Sequence, residues 1–281
     1  MTGGAPCRTG NHRRGPHLRG VNPGARAGAK TGMNKGHMDQ DSLLDDLRRV
    51  RARRIFFGHQ SVGVDIMKGI RDLAGATGGI LPAFVPGDTE ALPPGGWFAD
   101  SRIGRNNYPL EKCAAFRDAV SRLGPKSLDI ALMKFCYADI GPGTNPADVF
   151  DAYARAVGDL RHAFPGITFV HATVPYTVRT PWWKTQAKSL FGRNDRSRGA
   201  NLQRTRYNAL LAERFGGEML FDIARVESTY PDGRRESYTY EGETAFSLVG
   251  AYTTDGGHLN DTGRRLAARE LLRVLAEAGG R

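Results

Sequence analysis

A nearly unbroken apolar run from Leu128 to Phe135 is the feature that most constrains how this chain can fold. A run of this kind is typical of a strand that is buried on both faces of a sheet. Four shorter apolar runs have strand character and lie at 54–57, 81–85, 167–174 and 219–223. Segments with helical spacing of apolar residues separate the strands, and this alternation predicts a parallel sheet with helices on both faces.

The segments between and around these strands define the rest of the predicted fold. Helices are expected at 42–50, 62–73, 110–123, 145–164, 202–215 and 260–278. Residues 86–108 are rich in glycine and proline and are predicted to form a long loop. Residues 228–250 combine a Pro-Asp-Gly turn with an alternating run, which indicates a β-hairpin insertion near the C-terminus. We therefore expect an α/β protein with a mostly parallel five-stranded sheet.

The basic charge of the chain is concentrated in its first residues. The formal net charge is +11, and residues 1–38 contribute seven lysines and arginines, no acidic residue, nine glycines and three prolines. A segment with so few apolar residues cannot offset the entropy lost on ordering. We predict a disordered basic tail over 1–40 and one domain over 41–281. The tail is either an arm that touches an anionic surface or an extension without function.

Several protein classes are excluded by what the sequence lacks. No apolar stretch reaches the roughly 18 residues of a membrane span. The three cysteines, Cys7, Cys113 and Cys136, give no disulfide framework and fit a reducing compartment. Without a signal peptide we expect a cytoplasmic protein. Phosphate-binding and dinucleotide-binding glycine loops and metal-ligand spacings are missing, so we predict no cofactor and no metal.

Chemistry in such folds lies after the carboxyl ends of the strands. The first strand is followed by Gly58-His59-Gln60-Ser61-Val62-Gly63, which leads into a helix. Ser61 there could be a nucleophile, because helix N-terminal N–H groups can stabilise an oxyanion. The other interpretation is that Ser61 only caps the helix.

A second run, Asp255-Gly256-Gly257-His258-Leu259-Asn260, directly precedes the last helix. A nucleophilic serine needs a base, and the base needs a carboxylate that fixes its tautomer. Asp255 and His258 could supply both from one loop, or His258 could be an exposed histidine with an acidic neighbour. The Gly-Gly pair indicates a demanding backbone path, which favours the first interpretation.

The two runs together resemble the SGNH (GDSL-type) hydrolases over residues 52–278. The resemblance implies a flavodoxin-like three-layer α/β/α sandwich and a catalytic triad of Ser61, His258 and Asp255. It also implies an oxyanion hole formed by the N–H groups of Ser61 and Gly104. The chain departs from the family pattern at two blocks. Gly-Asp-Ser is replaced by Gly58-His59-Gln60-Ser61, and the third-block asparagine is absent, so Lys134 or an asparagine from the 104–107 loop would have to replace that donor.

Further residues are candidates for substrate contact. They are His59, Gln60, Asn106, Asn107, Lys134, Trp182 and Trp183. The two tryptophans lie in a basic loop, 176–206, that is either a lid or binding loop or a solvated segment with its tryptophans packed on the body. His59 could instead be a structural histidine, Cys136 a small core residue, and His171 a hydrogen-bonded core residue.

Two hypotheses for function follow. The first is a serine esterase that cleaves an acyl or acetyl ester on a small molecule or a glycan. The alternative is a non-catalytic module on the same fold that binds polysaccharide or nucleic acid through loop 176–206. We favour the esterase, do not expect nucleic acid as a partner, and leave the oligomeric state open.

Overall fold

The computed structural model describes residue 1 and residues 29–89, 91–124, 128–180 and 196–279. The chain divides into two units, Met1–Asp39 and Gln40–Arg281, and the second holds the fold described below. The first helix, α1, is Ala29–Arg51. Residues 2–28 lie outside the described residues, so that part of the predicted tail stays a prediction. Residues 29–40, which the prediction also placed in the tail, belong to α1.

Six parallel strands form the central sheet of the described chain. They are β1 (Arg54–His59), β2 (Ala83–Pro86), β3 (Trp97–Arg102), β4 (Ile130–Met133), β5 (Thr168–Ala172) and β6 (Leu220–Phe221). Their order across the sheet is β2-β3-β1-β4-β5-β6. The order β3-β1-β4-β5-β6 is the doubly wound flavodoxin-like arrangement, and β2 is an additional strand at the edge next to β3.

Helices follow the strands along the chain. They are α2 (Ser61–Gly75), α3 (Pro109–Leu123), α4 (Pro146–Ala163), α5 (Arg196–Phe215), α6 (Ile223–Ser228) and α7 (Asp261–Ala278). Two short 3₁₀ turns lie at Tyr137–Asp139 and Gly250–Tyr252. Helix α5 begins at residue 196, six residues before the predicted start.

The helices cover both faces of the sheet. One buried core joins α1, α2 and α7 to strand residues such as Ile55 and Phe57. The other joins α3, α4 and α5 to Phe56 of the same strand. Alternate residues of β1 thus enter opposite cores, as the pleat requires. The predicted three-layer α/β/α sandwich is confirmed.

The predicted strand count was wrong by one. Strand β3 lies within residues 86–108, which glycine and proline content marked as a loop, and it pairs with both β1 and β2. Only Trp97, Phe98 and Ala99 of β3 are buried, so its apolar run is too short to stand out from its surroundings. The predicted hairpin is confirmed as β7 (Ser237–Tyr240) antiparallel to β8 (Glu243–Phe246).

Helices α2 and α7 approach each other closely at Gly69. A methyl group added there would lie 2.5 Å from the Arg264 carbonyl oxygen and 2.9 Å from the Ala268 Cβ. We expect Gly69→Ala to force the helices apart and to lower the free energy of unfolding by about 1–3 kcal/mol in urea denaturation. Gly75→Ala, in the same helix with open space around it, is the control. Equal stability of the two variants would contradict this interpretation.

Candidate active site

The site lies where α2 and the loop before α7 meet, at the carboxyl end of the sheet. Ser61 is the first residue of α2 and directly follows β1, while His258 stands just before α7. Because the two helices pack side by side on one face, they bring together residues that are 197 positions apart. The residue in the N-cap position of α2 is Gln60, so Ser61 does not cap the helix.

Ser61, His258 and Asp255 form a continuous chain of hydrogen bonds. His258 Nε2 lies 2.9 Å from Ser61 Oγ, and His258 Nδ1 lies 2.6 Å from Asp255 Oδ2. An ionised Asp255 can only accept, so Nδ1 carries the proton and the Nε2 lone pair faces the serine hydroxyl. This order of groups is that of a Ser-His-Asp triad and can draw the proton from the serine as its oxygen attacks.

Hydrogen bonds within the loop hold Asp255 and His258 in fixed positions. Asp255 Oδ1 accepts from the backbone N–H groups of Gly257 at 2.9 Å and His258 at 2.8 Å. The hydrogen bond from the His258 ring, followed by these backbone donors, holds the pKa of the Asp255 carboxyl well below its usual range. Gly256 has φ 91°, a left-handed conformation that explains the glycine there. Asp255 is therefore ionised at neutral pH.

Two side chains that the sequence did not single out border the histidine. The Tyr137 ring meets the His258 ring edge to face, with 6.0 Å between centroids. Asp65, one turn after Ser61, accepts from the backbone N–H of Leu259 at 3.1 Å, and burial raises the pKa of its carboxyl. The spacing of Asp65 from Ser61, four residues along one helix face, was the available signal. The Asp65 hydrogen bond thus holds the His258 loop against α2, and the Tyr137 ring packs against His258 from the turn that follows β4.

A buried ion pair holds the segment that contains Gly104, Asn106 and Asn107. Lys112 Nζ donates to Asp139 Oδ2 at 2.5 Å, and both side chains are fully buried. The same Nζ donates to Asn106 Oδ1 at 3.0 Å, and Asn107 N–H donates to Asp139 Oδ1 at 2.9 Å. Gly104 has φ 55°. The predicted donor loop is therefore anchored to the turn that follows β4, although no sequence pattern pointed to Lys112 or Asp139.

His59 and Lys134 are both 1% exposed, which is at odds with their predicted contact with substrate. His59 lies beneath α2, with Nδ1 on the Gln60 carbonyl and Nε2 on Asp100. Lys134 Nζ donates to the Phe135 carbonyl oxygen at 3.1 Å, and burial lowers the pKa of its amine. Side chains alternate between the two faces of a sheet along a strand, and both His59 and Lys134 lie on a face that helices or loops cover.

Of the remaining residues singled out in the sequence, the structure describes Gln60, Cys136 and His171 but not the two tryptophans. Gln60 is half-buried and its amide donates to two carbonyl oxygens of the neighbouring strand end. Trp182 and Trp183 lie outside the described residues. Cys136 is buried, and His171 is buried with its Nδ1 2.8 Å from the Tyr153 hydroxyl, as a core histidine would be.

The described arginines of the predicted basic loop 176–206 are engaged with the protein itself. Arg204 donates to the carbonyl oxygens of Tyr137 and Ile140. Arg206 pairs with Glu243, and Arg179 lies 3.6 Å from Glu236. These side chains are not presented as a free cationic surface.

Neither a metal site nor a membrane-spanning helix is found among the described residues. Within 29–89, 91–124, 128–180 and 196–279, no group of three or more His, Cys, Asp or Glu side chains is placed to hold a metal ion. None of the helices in these ranges has both the length and the apolar character of a membrane span.

Comparison with known proteins gives matches among solved structures only. No family model and no curated protein matches the sequence. A candidate platelet activating factor from Streptococcus pneumonia is 15% identical, with a TM-score of 0.46 over 88% of this chain and 97% of that one. A candidate SGNH hydrolase from Slackia heliotrinireducens is 20% identical, with a TM-score of 0.43 over 82% and 100%. The periplasmic domain of a Salmonella ser. Paratyphi A lipopolysaccharide acetyltransferase is 10% identical, with a TM-score of 0.44 over 86% and 94%.

A buried carboxyl on α6 makes stability depend on pH. Burial raises the pKa of Glu227 from 4.5 to about 8. The folded protein therefore keeps a proton that the unfolded chain releases, so stability falls as the pH rises from about 4.5 to 8. We expect Glu227→Gln to remove this decline, so that the variant gains stability over the wild type between pH 5 and pH 8.5 in urea denaturation. Glu213→Gln, at an exposed position on α5, should keep the wild-type slope.

Proposed function

We propose that this protein is a divergent SGNH-type serine hydrolase that transfers the acyl group of an ester to water. One observation carries the proposal: a single histidine joins Ser61 Oγ at 2.9 Å to Asp255 Oδ2 at 2.6 Å. A serine at the start of a helix has no structural need for a histidine that is itself held by a carboxylate. The combination is what activation of a hydroxyl requires.

The reaction follows from the protonation states of the three groups. Ser61 Oγ attacks the ester carbonyl carbon while its proton passes to His258 Nε2. The tetrahedral intermediate collapses, the bond to the alcohol oxygen breaks, and His258 gives its proton to the departing alkoxide. Water then attacks the acyl-serine with His258 again as base, which releases the acid and restores Ser61. Asp255 stabilises the imidazolium in both steps.

The negative oxygen of the intermediate needs donors that are already in place. We assign this role to the backbone N–H groups of Ser61 and Gly104. Ser61 begins α2, where the helix dipole favours negative charge. Electrostatic stabilisation of this kind is usually the largest contribution to acyl transfer.

The proposed substrate is an acyl or acetyl ester. His258 and Asp255 are 40% and 54% exposed, so the triad opens to solvent and a bulky leaving group has room. A glycan as the alcohol part of the ester would depend on Trp182 and Trp183, which lie outside the described residues. No described contact favours the alternative of a non-catalytic binding module, since the described arginines of its loop are paired internally.

Replacement of the nucleophile or the base tests the proposal. We expect Ser61→Ala and His258→Ala to lower p-nitrophenyl acetate hydrolysis by about 10⁴-fold or more, because each removes proton transfer or bond formation itself. Ser61→Ala should also lose labelling by a fluorophosphonate probe. Ser237→Ala, at an exposed position on β7, is the matched control. Unchanged hydrolysis in either triad variant would refute the assignment.

Replacement of the carboxylate tests the tautomer argument separately. Asp255→Asn keeps the size of the side chain but offers His258 Nδ1 an amide that can favour the wrong tautomer. We expect kcat to fall by roughly 10³- to 10⁴-fold while the melting temperature changes little. Asp232→Asn, in the exposed turn before β7, should keep full activity. A loss smaller than tenfold for Asp255→Asn would mean that Asp255 does not orient the base.

A further inference from the structure

Two peptide groups at the carboxyl ends of β1 and β3 are held by their carbonyl oxygens. One joins Gln60 to Ser61, and the other joins Ile103 to Gly104. In a trans peptide the N–H points away from the C=O. A donor fixed on the carbonyl oxygen therefore sets the direction of the N–H on the opposite side of the same plane.

The carbonyl oxygen of Gln60 accepts three hydrogen bonds. Two come from the first turn of α2, from Gly63 N at 2.8 Å and Val64 N at 3.3 Å. The third comes from His59 Nδ1 at 2.9 Å. The peptide plane is thus held from the sheet side and the helix side together, and the Ser61 N–H points away from the His59 ring.

The His59 ring is held at both of its nitrogens. The Gln60 carbonyl oxygen can only accept, so Nδ1 donates to it. Nε2 lies 3.0 Å from Asp100 Oδ2, which fixes the orientation of the ring from the opposite side. A donor on the carbonyl oxygen polarises the Gln60–Ser61 peptide and strengthens its N–H as a donor.

Gly63 explains how the ring reaches this position. A Cβ at residue 63 would overlap the Cβ, Cγ and Nδ1 atoms of His59. Glycine therefore allows the imidazole to lie directly under the first turn of α2. The run Gly58-His59-Gln60-Ser61-Val62-Gly63 places the His59 ring, the Gln60–Ser61 peptide that it holds and the required glycine within six residues.

The second peptide is held by the side chain of Gln60. Its Nε2 donates to the carbonyl oxygens of Ile103 and Gly104, each at 2.8 Å. The Ile103 carbonyl shares its peptide plane with the Gly104 N–H, which points away from the Gln60 amide. One residue thus joins the two strand ends, with its backbone carbonyl held by His59 and its side chain holding residue 104.

We propose that His59 and Gln60 are positioning residues that aim the N–H groups of Ser61 and Gly104 at the oxyanion. This inference rests on the proposed function and deepens it. It gives a physical role to the two residues that stand where Gly-Asp-Ser would place one aspartate. Neither side chain touches the reacting atoms, so both act through the peptide planes that they hold.

The first test replaces Gln60 with Met, which keeps the length of the side chain without a donor or a charge. Kinetics are measured with p-nitrophenyl acetate and expressed per serine labelled at completion by a fluorophosphonate. We expect kcat to fall about 10- to 100-fold with KM changed less than threefold, because misplaced donors weaken transition-state binding selectively. The inhibition constant of phenylboronic acid, whose tetrahedral adduct places an oxygen in the hole, should rise by the same factor. Gln40→Met, exposed on α1, is the control.

The second test replaces His59 with Gln, which removes the imidazole ring beneath α2. The same fall in kcat and rise in the phenylboronic acid constant are expected. The matched control is His171→Gln, another buried histidine with partners at both ring nitrogens. It should lower the melting temperature without changing kcat per labelled serine, which separates lost packing from misdirected donors. If His59→Gln does not fold, the Gln60→Met result decides.

The outcomes separate this inference from the proposed function. A folded wild type that neither labels nor hydrolyses esters overturns both. If the wild type labels and hydrolyses esters but Gln60→Met stays within twofold of its kcat and phenylboronic acid affinity, only the positioning role of His59 and Gln60 is overturned. Parallel losses in kcat and phenylboronic acid affinity at unchanged KM support it.

Discussion

The close approach of α2 to α7 at Gly69 is the contact on which the geometry of the candidate site depends. Because a single hydrogen replaces a side chain there, α2 rests on the backbone of α7. Ser61 at the start of α2 then lies within hydrogen-bond distance of His258, just before α7. A wider helix spacing would separate the Ser61 hydroxyl from the His258 ring. The geometry of the candidate site thus depends on packing about two turns away along α2.

Two polar pairs lie beneath the candidate site. His59 faces Asp100, and Lys112 faces Asp139 with both side chains fully buried. Buried ion pairs such as Lys112–Asp139 give little net stability, since desolvation costs about as much as their attraction returns. Both pairs orient their neighbours, because each also hydrogen-bonds to backbone or side-chain groups of the strand-end loops. These polar groups therefore fix the orientation of the loops around Ser61.

Sequence patterns predicted the elements whose signals are local. The buried run of β4, the helical stripes and the Asp255–His258 spacing each need only a few neighbouring residues to be recognised. Strand β3 was not predicted because its burial depends on pairing with β1 and β2 rather than on its own composition. Lys134 and His59 were candidates for substrate contact, with a structural histidine as the alternative for His59, because nothing in a sequence shows which face of a strand end is covered. Asp139 and Lys112 are joined only by the fold, across 27 positions, and carry no motif.

The distance along the chain between Ser61 and His258 also governs when the site can exist during synthesis. Ser61 is made early, and His258 follows 197 residues later, in the loop before α7. Domains fold as units once their parts have emerged, and non-local contacts come late. A nascent chain therefore carries Ser61 without its histidine partner until the loop before α7 has left the ribosome. Under the proposed function, activation of Ser61 and completion of the domain would be one event.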